Sequence, residues 1–578
     1  MNKLIEKMFE NRGYDADYLY KISDPTYDDL KDIDLIVTRL KEIHDAGLPI
    51  TIFPDYDMDG ISSGSCFFAG LAELGFNVSL FIPDASYGYG LSAAIVDDIM
   101  KEYPNTAVII TCDNGISAVD AADYCKEIGV ELIVTDHHVQ NDVVNADIII
   151  DPMRLDEKYT HPRICGAFVV YQVLQHYADV FCTSYVQSQI RMLRVFAGIG
   201  TVSDMMPLLY ENRQIVTDTV SIMKFCYGDG TPAAVDSIQG HPVFRNAFRG
   251  IYHALRVCED RGVLSGGIGS LTEEFIGFYF SPMFNSAKRM EGDLHRCFGV
   301  FFGNDPVSDM NYVCDLNEQR KKIVNEELAK LLETDQPYKP YVYISGANGG
   351  LLGLLANKLK DYVDGPVFVL GDRGADCSEC RYHGSGRAPE WYPILNPETG
   401  RLYGKYDVAG HDGAFGIGIK DEDMLNEFVR FLSVDVPQAY DEAEIVEAVP
   451  DFIISTDWTK DTGIDISLFD DYLNEIELYR PFGIGFPAPC AQFDFTGKDI
   501  VSVRTMGAGD KHLKVSFDYG FELICWNQGD KINYFKQPFD DNPNIQYTAM
   551  GDLGRSEFRG IQSINFFGNL MPVAEGGC

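Results

Sequence analysis

The chain has 578 residues, 46% of them hydrophobic, with 87 acidic against 47 basic residues and a net charge of −40. That length exceeds one ordinary core and predicts two to four domains, while the apolar content excludes global disorder. No stretch approaches the roughly 18 uninterrupted apolar residues of a membrane span, and MNKLIEKMFENRGYD holds no apolar run ahead of a small-residue cleavage site, so a cytoplasmic protein with no membrane association is expected.

Residues 1–48 read as a helical N-terminal segment. From Pro49 to Leu208, short β-rich runs alternate with helical patterns. Strands are expected at Ile52-Phe53, Val78–Ile82, Ala107–Thr111, Glu131–Thr135 and Ala146–Ile150, with helices such as Ser62–Gly75 and Ala118–Gly129 closing on glycine. This spacing implies βαβ units in a doubly wound parallel sheet over 49–215, and nearly continuous apolar strands fit a sheet covered on both faces. A helical connector over 216–335 ends in the charged helix LNEQRKKIVNEELAKLL, Leu316–Leu332, whose sparse apolar positions suit a bridge between domains. A second α/β domain follows over 336–435. Next come an acidic linker over 436–479, in which Lys460 is the only base from Asp441 to Tyr479, and a β-rich tail over 480–578. Its short strands, among them His512–Phe517 and Glu522–Trp526, with glycine-rich turns, predict a small barrel.

The 14 cysteines fall in sequences that otherwise read as core and are expected as thiols. Cys377 and Cys380, with His383 behind them, lack a second pair of ligands at zinc-site spacing and are read as ordinary residues.

Four acidic or histidine motifs are expected where the strands of the first domain end: PDYDMDG (Asp55, Asp57, Asp59), TCDNG (Asp113), TDHH (Asp136, His137, His138) and GTVSDMMP (Asp204). Alone, DYDMDG is compatible with an Asx-type cap and TDHH with a capped strand end. Jointly they point to one crevice, because the carboxyl ends of the strands in an open parallel sheet form its ligand cleft. Many aspartates in one crevice need a cation to stay ionised. Carboxylates with one or two imidazoles suit Mn²⁺ or Mg²⁺. Two ions about 3.5–4 Å apart would share a bridging carboxylate, for which Asp113 is placed, and would clamp the oxygens of a phosphoryl displacement. Carboxylates that hold cations do not repel a polyanion once the metal is bound, so the net charge leaves nucleic acid open as a substrate.

In this order, DYDMDG, DNG, DHH and GTVSDMMP resemble the motifs of the DHH phosphoesterase superfamily. The remainder resembles its RecJ branch, the single-strand-specific 5′→3′ DNA exonucleases. SPMFNSAKRM (Ser281–Met290) is similar to the family's inter-domain segment. GGLLGLLANKL (Gly349–Leu359), GSGR (Gly384–Arg387) and AGHDGAFG (Ala409–Gly416) are similar to its DHH-associated domain, and RPFGIGFPAP (Arg480–Pro489) with GDKHLKVSF to the start of its oligonucleotide-binding domain. The resemblance implies that Asp57 and Asp113, completed by Asp55, hold one ion. Asp59, Asp113, His137 and Asp204 hold the other. It implies that His138 meets the scissile phosphate while Asp136 orients a histidine, and that the nucleophile is a metal-activated water. Ser385 and Arg387 match residues that hold a terminal 5′-phosphate, for which an arginine fork is apt; Gly410 and His411 belong to the glycine-rich motif facing the active site.

Three positions depart from the family pattern. The loop Ile82–Gly90 lacks the arginine expected before Gly-Tyr-Gly, Asn348 stands in place of a frequent histidine, and Phe486 replaces an asparagine. In the tail, Lys511, His512, Lys514, Tyr534, Arg555 and Arg559 are candidates for stacking and phosphate contacts with a single strand. The expected function is a two-metal exonuclease on single-stranded DNA, releasing 5′-mononucleotides in DNA repair and recombination, with a single-strand-binding protein or a helicase as partner. The alternatives are a phosphodiesterase for short RNA or cyclic dinucleotides and a catalytically silent scaffold of a replication or defence complex.

Overall fold

A computed structural model describes the chain except residues 16, 24–29, 85, 86, 89, 160, 162, 375, 376, 378, 379, 398, 444–448, 457–462, 508, 536–544, 559, 560 and 572–578, and the side chains of 20, 23, 411, 519, 557, 558 and 561. The chain divides into two compact units. One comprises Tyr27–Met206 and Ile215–Val446; the other comprises Met1–Thr26, Pro207–Gln214 and Glu447–Cys578.

The larger unit begins with five parallel strands, β1 (Ile50–Pro54), β2 (Val78–Leu80), β3 (Val108–Cys112), β4 (Glu131–Thr135) and β5 (Ile148–Ile150), in the order β2-β1-β3-β4-β5. The expected strands are all present, shifted by one or two residues at their ends. Their β-branched runs (ITIFP, VIITC, ELIVT) are buried on both faces. On one face the helices Ala93–Glu102 and Val119–Ile128 cover an apolar layer containing Ile95, Ile99, Ile109, Ala121 and Leu132. The helix Met58–Glu73 is apolar nearly all round and packs with Gly166–Phe181 and Arg194–Ser203.

Register then does something specific at one sheet edge. Pro54 pairs with Cys112, Cys112 with Thr135, and Thr135 with Ile150. The next residue on each strand carries the ladder one step further: Asp55 N donates to Cys112 O, Asp113 N to Thr135 O and Asp136 N to Ile150 O. Three aspartates of the sequence motifs, with Asp151 after β5, therefore leave the sheet in one row.

Further along this unit, the helix Pro306–Glu333 is longer than the charged segment Leu316–Leu332 read from sequence, and its Val324 and Leu331 are buried with Leu351, Leu355 and Val369 of the second α/β region. That region has the strands β6 (Val342–Ile344), β7 (Val367–Asp372), β8 (Tyr382–Arg387), β9 (Asp407–His411) and β10 (Ala414–Ile419), ordered β6-β7-β8-β10-β9. The helix Gly349–Leu359 packs on β7 and β8, and Asn348, at the variant position, caps it by accepting from Gly350 N at 2.9 Å.

The smaller unit is built on seven strands: β11 (Phe452–Ser455), β12 (Ala491–Thr496), β13 (Ile500–Met506), β14 (His512–Phe517), β15 (Glu522–Cys525), β16 (Gln546–Phe558) and β17 (Ile561–Leu570). They pair in the order β11-β12-β16-β17-β15-β14-β13, and no pairing among the described residues joins β13 to β11, so the expected barrel takes the form of an extended ladder. The acidic stretch expected as a linker is built into structured elements. The helix Glu422–Glu442 runs into it, and β11 and the helix Ile466–Ile476 bury Phe452, Ile454, Phe469 and Tyr472 in the β-rich core. The N-terminal helix Lys3–Asn11 buries Leu4, Ile5, Met8 and Phe9 in that same core, because its apolar stripe has this sheet to cover. Phe486, the other variant position, is fully buried there, with the Arg213 guanidinium 4.9 Å from its ring.

Candidate metal centre and active site

Asp57 and Asp59 are held by backbone donors, and Asp204, expected after a strand, stands instead at the C-cap of the Arg194–Ser203 helix. Asp57 caps the Met58–Glu73 helix, accepting from Asp59 N at 2.9 Å and Gly60 N at 3.1 Å. Asn285, in the segment SPMFNSAKRM, accepts from Met58 N at 2.7 Å and fixes the same turn. Asp59 is fully buried and lies at the start of the Gly166–Phe181 helix, accepting from Gly166 N at 2.7 Å and Ala167 N at 3.1 Å. Two buried N–H donors of the helix's first turn and the positive end of its dipole thus face the carboxylate.

The cradle is cut to size by glycine. A Cβ at Gly166 would lie 2.6 Å from Asp113 Oδ1, and one at Gly200 would lie 2.0 Å from Asp59 Oδ1. Sequence reasoning missed both roles. Gly200 stands in the GTVSDMMP motif already singled out, whereas nothing local marks Gly166.

The metal-ligating candidates converge. Asp55, Asp57 and Asp113 form one cluster whose ligand atoms lie within 4.8 Å of one another; Asp59, His137 and Asp204 form a second, and Asp113, His137 and His138 a third. His137 Nε2 stands 3.0 Å from Asp113 Oδ1, 3.4 Å from Asp204 Oδ2 and 3.7 Å from Asp59 Oδ2. Neither His137 Nε2 nor Asp113 Oδ1 has a hydrogen-bond partner among the described residues, although both are buried. Asp113 reaches this position with φ 64°, a left-handed conformation that aspartate tolerates better than most residues.

Electrostatics point the same way. Burial, then Asp57, pushes the Asp55 carboxyl up to about 8. Burial, then Asp59, raises Asp57, Asp113 and Asp204 above the usual carboxylate range. Buried carboxylates that repel one another, with an unpartnered imidazole nitrogen and carboxylate oxygen between them, are a donor set made for divalent cations. The residues fit such ions.

Asp136 does a different task. Its Oδ2 accepts from Ile116 N at 2.9 Å, and its Oδ1 accepts from His137 N at 2.7 Å and lies 2.7 Å from His138 Nδ1. Burial works against its charge, but the hydrogen bond with His138 holds it below its ordinary value. Burial likewise opposes the charged His138 ring, yet the hydrogen bond to Asp136 carries it up to about 9. The hydrogen bond with Asp136 thus favours the protonated ring of His138. Burial instead lowers His137, which suits a neutral ligand.

In the second α/β region Ser385 and Arg387 lie on β8, with Arg387 Nη1 3.3 Å from Ser385 Oγ and 2.7 Å from Gly386 O. Arg387 pairs with Ala414, which pairs with His411, so the three share one row across β8, β10 and β9. Gly410 lies beside that row with φ 131°; the side chain of His411 lies outside the described residues. Arg289 is the electrostatic link that sequence reasoning missed: its charge acts on Asp57 and on Arg387.

The tail candidates divide. Lys514 pairs with Glu522, and Arg555 with Asp470 at 2.6 Å, so both charges are committed internally. His512 accepts from Asn527 N at 2.9 Å and sits edge-on to Trp526, which is 51% exposed. Lys511 is exposed, Tyr534 is half-buried, and Arg559 lies outside the described residues.

Comparison with known proteins follows this geometry. Residues 49–199 match the DHH family, N-terminal domain, and residues 461–567 match the RecJ OB domain. The single-stranded-DNA-specific exonuclease RecJ of Bacillus subtilis is 24% identical over 91% of this chain and 63% of its own length. The Haemophilus influenzae protein of the same name is 24% identical over 94% of this chain and 91% of its own. The chain therefore spans less than two thirds of the first relative and nearly all of the second. In fold it is similar to the Mn²⁺ complex of RecJ from Thermus thermophilus, with a TM-score of 0.71 at 21% identity over 99% of this chain and 76% of that one. Among the described residues no helix is long and apolar enough to cross a membrane.

Proposed function

Starting from a chain that joins a DHH domain to a RecJ OB domain, we propose that it is a metal-dependent 5′→3′ exonuclease specific for single-stranded DNA. It releases 5′-mononucleotides, in the setting of DNA repair and recombination. The observation that carries the reading is the convergence of Asp55, Asp57 and Asp113 with Asp59, His137 and Asp204, around a buried imidazole nitrogen and carboxylate oxygen 3.0 Å apart that have no hydrogen-bond partner among the described residues. Asp113 belongs to the first set and lies 3.0 Å from His137 Nε2 of the second, and in this reading it serves both. Mn²⁺ or Mg²⁺ ions held there supply Lewis acidity for attack of water on phosphorus.

The chain's own residues do the rest. Asp136 anchors the charged His138 ring, which meets the negative charge of the scissile phosphate. Ser385 and Arg387 hold the terminal 5′-phosphate, the guanidinium offering two parallel donors, and Gly410 and His411 line the same cleft. The OB domain binds single-stranded DNA, with the rings of Trp526 and His512 offered to its bases. A single-strand-binding protein or a helicase meets the acidic stretch 441–479. The compartment is the cytoplasm, where the described cysteines remain thiols.

The test is incubation with Mn²⁺ and end-labelled oligonucleotides. Mononucleotides released from the 5′ end of single-stranded DNA are expected, with duplex DNA spared. Cleavage confined to di- to pentanucleotides or cyclic dinucleotides would replace this reading with that of a small-substrate phosphodiesterase. Intact Mn²⁺ binding without hydrolysis of any substrate would make the chain a scaffold.

A further inference from the structure

We propose that Lys288 is a positioning residue of the metal cleft: from the Ser286–Arg289 turn it holds the Ile82–Gly90 loop against the turn that carries Asp55 and Asp57, and so sets how tightly the cleft takes its strand. That the strand is single-stranded DNA rests on the nuclease reading; the tie itself does not.

The loop IPDASYGYG carries one acid, Asp84, and no base. Its Tyr87 is anchored locally: the backbone N donates to Asp84 O at 3.0 Å, the ring centre lies 6.5 Å from that of Phe81, and the hydroxyl donates to Asp98 Oδ2 at 2.8 Å. The Tyr87 carbonyl instead accepts from far along the chain, from Lys288 Nζ at 3.0 Å. The same ammonium stands 4.0 Å from the centre of the Tyr56 ring, well inside the roughly 6 Å at which a cation is drawn to an aromatic face. Tyr56 lies between Asp55 and Asp57, both of the first ligand set. One side chain therefore joins a loop with no positive charge of its own to the turn that presents two aspartates.

The neighbours of Lys288 make its segment a fixed point. Asn285 accepts from Met58 N at 2.7 Å, Arg289 donates to Gly350 O at 3.3 Å, and Glu291 accepts from Asn348 Nδ2 at 2.8 Å. From Asn285 to Glu291 the segment thus touches the metal turn, the loop and the second α/β region. Lys288 and Tyr56 form part of the wall of a cavity of ≈ 460 Å³ on which Asp57 and Asn285 also lie.

Packing alone does not call for a lysine here. Burial lowers the Lys288 pKa, with Asp55, Asp84 and Glu291 opposing it. Replacing a charged group in such a place by an apolar one of similar volume is often neutral or stabilising. What an apolar side chain cannot do is donate to a carbonyl while resting as a cation on a ring. The geometry uses the charge.

In the nuclease reading the ions sit on the aspartates, so metal binding and the chemical step do not run through Lys288. The tie acts earlier, on the shape of the cleft before the strand arrives. A wall already in place spares the strand the ordering of that loop on binding. Losing a contribution of this kind raises KM and leaves kcat where it was.

The experiment uses the full chain with Mn²⁺ and 5′-phosphorylated oligothymidylates. Lys288→Met should raise KM about tenfold with kcat within about threefold of wild type, and leave the Mn²⁺-dependent rise in Tm unchanged. Lys288→Arg keeps a charge, a donor and a face for the ring, and should restore KM. Tyr56→Leu should raise KM as well, and in the double variant the two effects on log KM should not add, because both remove one contact. Hydrogen exchange read without DNA should quicken in Lys288→Met across residues 55–58 and 82–90. Wild-type KM in Lys288→Met would overturn the proposal. A raised KM with unchanged exchange would make Lys288 a direct contact of the strand and overturn the positioning role. A collapse of kcat together with the Mn²⁺ effect would place Lys288 in the metal site instead. If the wild-type chain cuts no single strand, the nuclease reading fails and exchange alone decides the tie: faster exchange in Lys288→Met upholds it, and unchanged exchange sinks it.

Discussion

Gly200 lies so close to Asp59 that a Cβ at residue 200 would sit 2.0 Å from Asp59 Oδ1. The aspartate cannot simply step aside, because its carboxylate is pinned by Gly166 N and Ala167 N. Alanine in a helix interior is itself favourable by about 0.5–1 kcal/mol over glycine. Gly200→Ala should therefore leave the Arg194–Ser203 helix intact and displace one metal ligand. Activity is expected to fall at least 100-fold with little change in circular dichroism. Wild-type turnover in this variant would mean that Asp59 is not held where catalysis needs it.

Asp113 faces four other carboxylates, those of Asp55, Asp57, Asp59 and Asp204, and a histidine nitrogen with no hydrogen-bond partner among the described residues. Asp113→Asn keeps its size and its tolerance of positive φ while removing the charge. In EDTA this variant should melt higher than wild type, since a buried repulsion is gone. It should also lose the Mn²⁺-dependent rise in Tm and about 1,000-fold or more in activity, because a bridging ligand serves both ions. Calorimetry with and without Mn²⁺ reads both effects; a lower metal-free Tm would contradict the electrostatic account.

What could be read from the chain follows from where its information is local. The runs ending in Pro54, Cys112 and Thr135 announce strands, and a doubly wound sheet brings their ends together, so Asp55, Asp57, Asp59, Asp113, Asp136 and His137 could be gathered on paper. Their register was not legible, although it is what aligns Asp55, Asp113 and Asp136 in one row. Gly166 was passed over because its role is steric and its partner, Asp113, lies far away in sequence. The placement of Lys3–Asn11 in the β-rich core was illegible for the same reason: an apolar stripe states that it must be covered and not by what. In the charged helix Leu316–Leu332 the sequence does not tell which charges find partners; the structure pairs Asp315 and Glu318 with Arg261, far away in the chain.

The smaller unit should carry a pH dependence of its own. Burial pushes the partly buried Asp552 carboxyl up to about 7, opposed by the hydrogen bonds from Leu553 N and Tyr472. The folded state therefore keeps this proton between about pH 4 and 7, where the unfolded chain releases it. Stability contributed by the neutral form is full below the unfolded pKa and is lost as pH rises through the folded one. Asp552→Asn, whose amide oxygen still accepts from Tyr472, should be more stable than wild type at pH 8 by on the order of 1–2 kcal/mol. The two should converge near pH 4. Parallel stability curves across this range would show that Asp552 does not titrate there.

The N-terminal helix is tied to the β-rich unit by a bidentate pair. Arg12 Nε and Nη2 each lie 2.6 Å from an oxygen of Asp451, and the guanidinium also donates to Pro487 O and Ala488 O. Both side chains are nearly enclosed, at 11% and 7% exposure, so removing one leaves the other charge buried. Arg12→Ala should cost about 3–5 kcal/mol, and Arg12→Lys should recover only part of it, because an ammonium cannot span both oxygens while reaching the two carbonyls. Asp451 also accepts from Cys490 N at 2.7 Å, so the loss should spread to the start of β12. Hydrogen exchange across Cys490 to Thr496 reads that spread. Exchange confined to Lys3–Asn11 in Arg12→Ala would show that the pair anchors the helix alone and leaves the sheet unaffected.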